Sequence, residues 1–149
     1  DGTNLDARTH LLMAASMGAT AFQKGLGLIH ALSHPLGGIT GCHHGTANAI
    51  FQPYVMIHNR EVIAQRMPRL AQCLGLPGER FEDVLQWVLD LRERLKLPHT
   101  LAGILNASMI PRLVSMAALD PSLSTNPKPC SAEDLERVLT KALNGDLNA

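Results

Sequence analysis

The sequence has no excess of charge of either sign. Lysine and arginine together number 13, as do aspartate and glutamate, so the formal net charge of the 149 residues is zero. A protein that binds nucleic acid through its phosphates needs a basic face, and this composition gives no support to such a partner. No apolar run reaches the roughly 18 residues that a membrane span requires, and no signal-peptide pattern is present. We therefore expect neither nucleic acid nor a membrane as a partner.

Cysteine is also scarce. The three cysteines, Cys42, Cys73 and Cys130, are odd in number and far apart. This arrangement is typical of free thiols in a reducing compartment rather than of a disulfide framework, so we expect a cytoplasmic protein. No glycine-rich loop follows a predicted strand, which means that the dinucleotide-binding fingerprint is absent from this sequence.

No segment alternates apolar and polar residues with a two-residue period, so no strand is predicted. Apolar residues recur instead at helical spacing along most of the chain. Gly37 and Gly38 are expected to end the second helix. The pattern predicts helices at about 5–22, 26–36, 45–59, 63–74, 81–95, 111–119 and 131–144. The fold class predicted is all-α, as a single helical domain of about six to eight helices.

Residues 25–47 hold four of the seven histidines and six of the twelve glycines. His30 and His34 are four apart on one predicted helix, a spacing that places two imidazoles on the same face. His43 and His44 follow the glycine break, and the loop before them could fold this second pair back beside the first. A metal site needs donor atoms with space around them, and this stretch supplies both. The alternative is one packed histidine and one solvated histidine.

Two other features resemble ligand or nucleophile patterns. Asp6 and His10 also stand four apart, but an aspartate at a helix N-terminus is already favoured by the backbone dipole and the free N–H groups. Cys42 lies beside two histidines and could be a thiolate ligand or a nucleophile, although no second cysteine nearby supports a zinc pattern. We interpret all three residues as bystanders.

The order Gly25-Leu-Gly-Leu-Ile-His-Ala-Leu-Ser-His-Pro-Leu-Gly-Gly, followed by His43-His-Gly-Thr-Ala-Asn-Ala, resembles the histidine motif of the iron-containing (group III) alcohol dehydrogenases. Asp6-Ala-Arg is similar to that family's entry into the same helix, and Thr125-Asn-Pro-Lys-Pro resembles its late Asn-Pro-Arg-Pro turn. The resemblance covers essentially the whole chain. It implies that residues 1–149 are the helical, metal-binding C-terminal domain of the dehydroquinate synthase-like, iron alcohol dehydrogenase fold, and that the N-terminal nucleotide-binding domain is missing from this sequence.

The resemblance also implies a set of site residues. The family holds its metal with one aspartate and three histidines, and two of these positions correspond to His30 and His44. The position of His34 is implied to lie near the nicotinamide and the substrate, in a catalytic and cofactor-binding role. The following glycine assigns the ligand to His44 and makes His43 the weaker candidate. The other two ligands belong to an upstream Asp-x3-His element, with which Asp6 and His10 do not align.

The function implied is that of an NAD(P)-dependent oxidoreductase that interconverts small alcohols and aldehydes or ketones by hydride transfer. A divalent metal, Fe2+ or alternatively Zn2+, would act as the Lewis acid, and NAD or NADP would be bound mainly by the missing N-terminal domain. The fragment alone is expected to be inactive, and the full-length parent is expected to be a homo-oligomer. The alternatives are a non-catalytic helical metal-binding or scaffold module, and a zinc enzyme similar to glycerol dehydrogenase or dehydroquinate synthase.

Overall fold

A computed structural model describes residues 2–148, and every regular element within them is helical. The α-helices are α1 (Leu5–Phe22), α2 (Leu28–Thr40), α3 (His44–His58), α4 (Arg60–Ile63), α5 (Met67–Leu74), α6 (Phe81–Arg94), α7 (Ile110–Ala117) and α8 (Ala132–Asn144). Short 3₁₀ segments cover Ala64–Arg66, Ala107–Met109 and Pro121–Thr125. The prediction of an all-α fold with about six to eight helices is confirmed. Among the described residues, no helix is long and apolar enough to cross a bilayer.

The main hydrophobic core lies between α2, α3, α7 and α8. Each of these helices contributes fully buried side chains, among them Leu32, Phe51, Leu113 and Leu139. Within each helix the buried residues recur three or four positions apart, so that each helix turns one apolar stripe inward. Burying one such side chain contributes about 1.5–3 kcal/mol. This core therefore holds α2 firmly against α3, and these are the helices that carry the clustered histidines.

A second, smaller core joins α5 to α6. Its buried members are Met67, Ala71, Phe81 and Val84. Met56 and Ile57, from the C-terminal half of α3, pack against this second core, whereas the middle of α3 is buried in the main core. Because α3 contributes to both cores, its position is determined from two sides.

The second helix is longer than the sequence predicts. The structure shows α2 continuing through Gly37 and Gly38 to Thr40, and its C-cap residue is Gly41, which has the left-handed conformation with φ of +71°. The N–H of Gly41 donates to the carbonyl oxygen of Gly37 at 2.9 Å, and neither Gly37 nor Gly38 has a positive φ. A glycine ends a helix where its backbone adopts the left-handed conformation, so the expected stop at Gly37 and Gly38 is wrong.

Helix α1 has 18 residues, and none of them is buried. Its bounds agree with the predicted 5–22. However, Leu12 and Met17, two of its apolar residues, are each 70% exposed. The small residues of this helix, among them Ala14, Gly18 and Ala21, are exposed as well. The apolar residues that predict this helix therefore bury little surface against the rest of the described chain.

Candidate active site

Three histidine rings of residues 25–47 lie together in the structure. His30 and His34 are one turn apart on α2, and His44 is the first residue of α3. The ring centroids are 5.7 Å apart for His30 and His34, 5.2 Å for His30 and His44, and 5.4 Å for His34 and His44. The loop after α2 thus returns the chain so that His44 meets the pair on α2.

The rings of His43 and His44 lie in different places because α3 begins between these two residues. His43 is the N-cap residue with a non-helical backbone, and the helix starts at His44. The ring of His43 lies against Gly45, where an added β-carbon would come within 3.3 Å of its Cε1 atom. Gly45 therefore gives the His43 ring room beside the first turn of α3, while the His44 ring joins the two histidines of α2.

Asn48 connects two of the three rings. It follows His44 by one helical turn, and its Nδ2 atom lies 3.1 Å from Nε2 of His44 and 3.3 Å from Nε2 of His30. An amide nitrogen can only donate hydrogen bonds, so both Nε2 atoms accept through their lone pairs. The lone pairs of His30 and His44 are therefore directed at one point. Sequence reasoning missed Asn48, although its spacing of four from His44 could have indicated it.

Two polar atoms beside this point are buried without a hydrogen-bond partner in residues 2–148, namely Nδ1 of His30 and Oδ1 of Asn48. Burial lowers the pKa of His30, and the neighbouring His44 and His34 lower it further, against a smaller opposing effect of Asp120. The His30 ring is thus held neutral, which is the form that binds a metal.

The donor set fits a divalent transition metal in part. Two imidazole nitrogens whose lone pairs are directed at one point suit Fe2+ or Zn2+. Within residues 2–148, no group of three or more histidine, cysteine, aspartate or glutamate side chains is placed to hold a metal ion. These residues therefore match only part of a coordination shell.

The third histidine has a carboxylate partner that sequence reasoning did not assign. Nδ1 of His34 lies 2.8 Å from Oδ2 of Asp120, the N-cap residue of the 3₁₀ segment Pro121–Thr125. Burial alone would raise the pKa of Asp120, but hydrogen bonds from His34 and from Ser122 outweigh it and leave this pKa lowered. The carboxylate orients the ring so that Nδ1 faces Asp120 and Nε2 is available on the other side. The two residues are 86 positions apart, so no local pattern indicates the pair.

The residues interpreted as bystanders form no part of the three-ring cluster. Asp6 and His10 are both exposed on α1. Cys42 is a half-buried free thiol in the loop before α3, and its Sγ atom lies 3.7 Å from the carbonyl oxygen of His43.

The fold and the sequence both have close counterparts among known proteins. The structure superposes on a crystal structure of 1,3-propanediol oxidoreductase with a TM-score of 0.89, at 25% sequence identity, over 95% of this chain and 39% of that one. The sequence is 40% identical over 153 aligned positions to 4-hydroxybutyrate dehydrogenase of Cupriavidus necator, covering 96% of this chain and 40% of the relative. It is 33% identical to a 1-propanol dehydrogenase of Salmonella typhimurium, covering 87% of this chain and 39% of the relative.

Residues 1–143 match the family described as Fe-containing alcohol dehydrogenase family, C-terminal. The chain belongs to this family, and the resemblance inferred from its histidine motif is confirmed. The curated relatives that it matches are longer, and the chain spans about two fifths of their length.

Proposed function

We propose that residues 1–149 are the C-terminal domain of an NAD(P)-dependent, iron-type alcohol dehydrogenase. The observation that carries this proposal is the convergence of the His30 and His44 lone pairs beside His34. Family membership and the relatives named above support an oxidoreductase acting on small alcohols and the corresponding carbonyl compounds. The relative that shares 40% identity acts on 4-hydroxybutyrate. We therefore infer that the substrate class is short primary alcohols, including those with a polar group at the far end.

His30 and His44 are the proposed metal ligands of this domain, each through Nε2. The other ligands would come from the rest of the polypeptide, since the described residues match only part of a shell. A bound Fe2+ or Zn2+ would polarise the alcohol oxygen as a Lewis acid and lower its pKa. The neutral state of His30, maintained by burial, keeps its lone pair available for this role.

His34 is the proposed catalytic and cofactor-positioning residue. Its Nδ1 donates to the Asp120 carboxylate at 2.8 Å, which selects one tautomer and leaves Nε2 free to take up or release a proton. Its side chain is 42% exposed, so the ring is open to a substrate or a nicotinamide. NAD or NADP would accept or supply the hydride, held mainly by the N-terminal nucleotide-binding domain.

The surface of α1 supports the proposal of a missing N-terminal domain. A helix with exposed apolar residues and no buried residue is poorly stabilised by itself, because most helix stability in proteins comes from packing. We propose that the remainder of the polypeptide covers this helix. The free thiols of the described chain favour a cytoplasmic enzyme, and we infer a homo-oligomer of the full-length enzyme from the family resemblance alone.

The test is to replace the proposed ligands in the full-length enzyme supplied with iron. His30→Ala and His44→Ala are each expected to lose bound iron and the NAD(P)-linked oxidation of 4-hydroxybutyrate, 1-propanol and 1,3-propanediol. Metal content is measured by elemental analysis and activity by nicotinamide absorbance. His43→Ala is the matched control, because it removes the adjacent imidazole, and it should keep its iron. A His44→Ala enzyme that retains iron and activity would contradict the ligand assignment.

A further inference from the structure

The N-terminus of α2 has no capping side chain of its own. Its N-cap residue is Gly27, which has no side chain to offer and adopts φ of +85°. The first N–H groups of a helix lack partners within the helix and need acceptors from elsewhere. Acceptors for Leu28, the first residue of α2, and for the two residues before it come from one distant segment: Leu26 N donates to Thr125 Oγ1 at 3.2 Å, Gly27 N to Ser122 O at 3.0 Å, and Leu28 N to Asn126 Oδ1 at 3.2 Å.

The two segments are in close contact as well as hydrogen-bonded. An added β-carbon at Gly25 would lie 2.5 Å from Cβ of Thr125, and one at Gly27 would lie 3.1 Å from Oδ1 of Asn126. Both glycines also have positive φ, a conformation that other residues rarely adopt. The start of α2 is therefore seated directly on residues 122–126.

Asn126 is the residue of this segment with the most partners. Its Oδ1 accepts from Leu28 N and, at 3.1 Å, from Nδ2 of Asn59. Its Nδ2 donates to Oδ1 of Asn59 at 2.9 Å and to the carbonyl oxygen of Lys128 at 2.7 Å, and it also lies 3.4 Å from Sγ of Cys130. The paired Asn59 is only 6% exposed and is the C-cap residue of α3. This reciprocal amide pair ties the end of α3 to the beginning of α2.

The position of this pair connects it to the histidines. Leu28, whose N–H is capped by Asn126, is two residues before His30 on the same helix. One turn further along, His34 is held by Asp120, which begins the 3₁₀ segment that leads to Asn126. Successive helical residues are about 100° apart around the axis, so a small rotation of α2 would turn His30 away from His44. The hydrogen bonds of Leu28 with Asn126 and of His34 with Asp120 attach α2 at two points to residues 120–126 and oppose that rotation.

We propose that Asn126 is a positioning residue for the metal site. Its side chain caps α2 from outside the helix and joins α2 to α3 through Asn59. These bonds hold α2 so that Nε2 of His30 and Nε2 of His44 are directed at the same point. This inference rests on the proposed function, since it takes His30 and His44 as the metal ligands. Asn126 itself acts through Leu28 and Asn59 and has no direct part in the chemistry.

The test is Asn126→Ala in the full-length enzyme, with the iron dissociation constant measured by competition with a chelator. Removing residues that orient metal ligands typically weakens metal binding by roughly 10- to 100-fold, and we expect about tenfold here. Amide hydrogen exchange at Leu28 should accelerate, because its acceptor is gone. Asn126→Asp keeps the oxygen that caps Leu28 but loses the donor to Asn59. Its iron dissociation constant should lie between those of the wild type and Asn126→Ala. If the alanine variant does not fold, Asn126→Asp is measured in its place.

Asn106→Ala is the matched control. Asn106 Oδ1 accepts from Ser108 N at 3.0 Å, so this variant also removes one asparagine cap, but at the turn before α7. It should lower the melting temperature and leave the iron dissociation constant unchanged. Wild-type iron affinity in both Asn126 variants would overturn the inference, as would an equal loss in Asn106→Ala. The iron dissociation constant of His44→Ala is measured alongside. If His44→Ala binds iron normally, the proposed function fails and this inference fails with it. If His44→Ala loses iron affinity and the Asn126 variants keep it, only the role of Asn126 is contradicted.

Discussion

The hydrogen-bond partners of single residues determine which nitrogen of each imidazole is available. His30 and His44 both receive a hydrogen bond from Asn48 at Nε2, so these atoms present lone pairs. His34 faces a carboxylate through Nδ1, so its proton is on that side. Two rings are therefore arranged as acceptors, while the third is arranged to exchange a proton through Nε2. This division agrees with two proposed ligands and one proposed catalytic residue.

His58, at the end of α3, provides a prediction about pH. Burial lowers the pKa of His58, and Lys128 and Arg137 add to this effect, against opposing contributions from Asp134 and Glu61. Because the folded pKa lies below the unfolded value of about 6.5, the unfolded chain binds more protons as the pH falls through that value. Stability present above about pH 6.5 is therefore lost on acidification.

The measurement compares melting temperatures of this chain at pH 7.5 and pH 5.5. His58→Gln should show a smaller decrease than the wild type, because it removes one group that must be deprotonated in the folded state. His30, whose pKa is lowered in the same direction, contributes to the decrease in both proteins. An identical decrease in the two proteins would contradict the assignment.

At the scale of an element, the glycines at the end of α2 differ in what they do. Gly41 has φ of +71° and ends the helix, whereas Gly38 is an exposed helical residue with no atom within 4 Å of an added β-carbon. Gly41→Ala forces a side chain into the left-handed conformation and should destabilise the chain by about 1–2 kcal/mol. Gly38→Ala reduces backbone entropy without a clash and should stabilise it by roughly 0.5–1 kcal/mol.

The free energy of unfolding of both variants, measured with urea, tests this assignment. Each variant controls for the other, because the same substitution is made three residues apart, once inside α2 and once at its C-cap. If both substitutions change stability in the same direction, the end of α2 is not where the structure places it.

At the scale of the whole molecule, α1 exposes six large hydrophobic side chains, namely Leu5, Leu11, Leu12, Met13, Met17 and Phe22. Met17 is 70% exposed, so Met17→Lys in this chain should change stability by less than about 0.5 kcal/mol, as is usual for surface substitutions. In the full-length enzyme, where we propose that this helix is covered, the same substitution should cost at least the roughly 1.5–3 kcal/mol of burying an apolar side chain. Urea unfolding of both proteins gives the comparison, and equal effects would argue against a domain packed on α1.

Much of the fold could be predicted because an α-helix is a local structure. Its hydrogen bonds join residues four apart, so spacing alone located α1 and came within a residue of the end of α6. The end of α2 could not be located in the same way. A glycine ends a helix through its backbone conformation, and only the structure shows that Gly41 has a positive φ whereas Gly37 and Gly38 do not.

The sequence by itself determined the all-α class, the family and the three histidines around which the proposed site is built. Only the tertiary structure decided which distant residues orient those histidines and the helix that carries two of them. Asp120 reaches His34 across 86 positions, and Asn126 caps Leu28 across 98. No periodicity links residues so far apart, because such pairs form only when the buried core has brought their helices together. The helices follow from the local spacing of apolar residues, whereas the orientation of His34 and the position of α2 depend on residues that are distant in sequence.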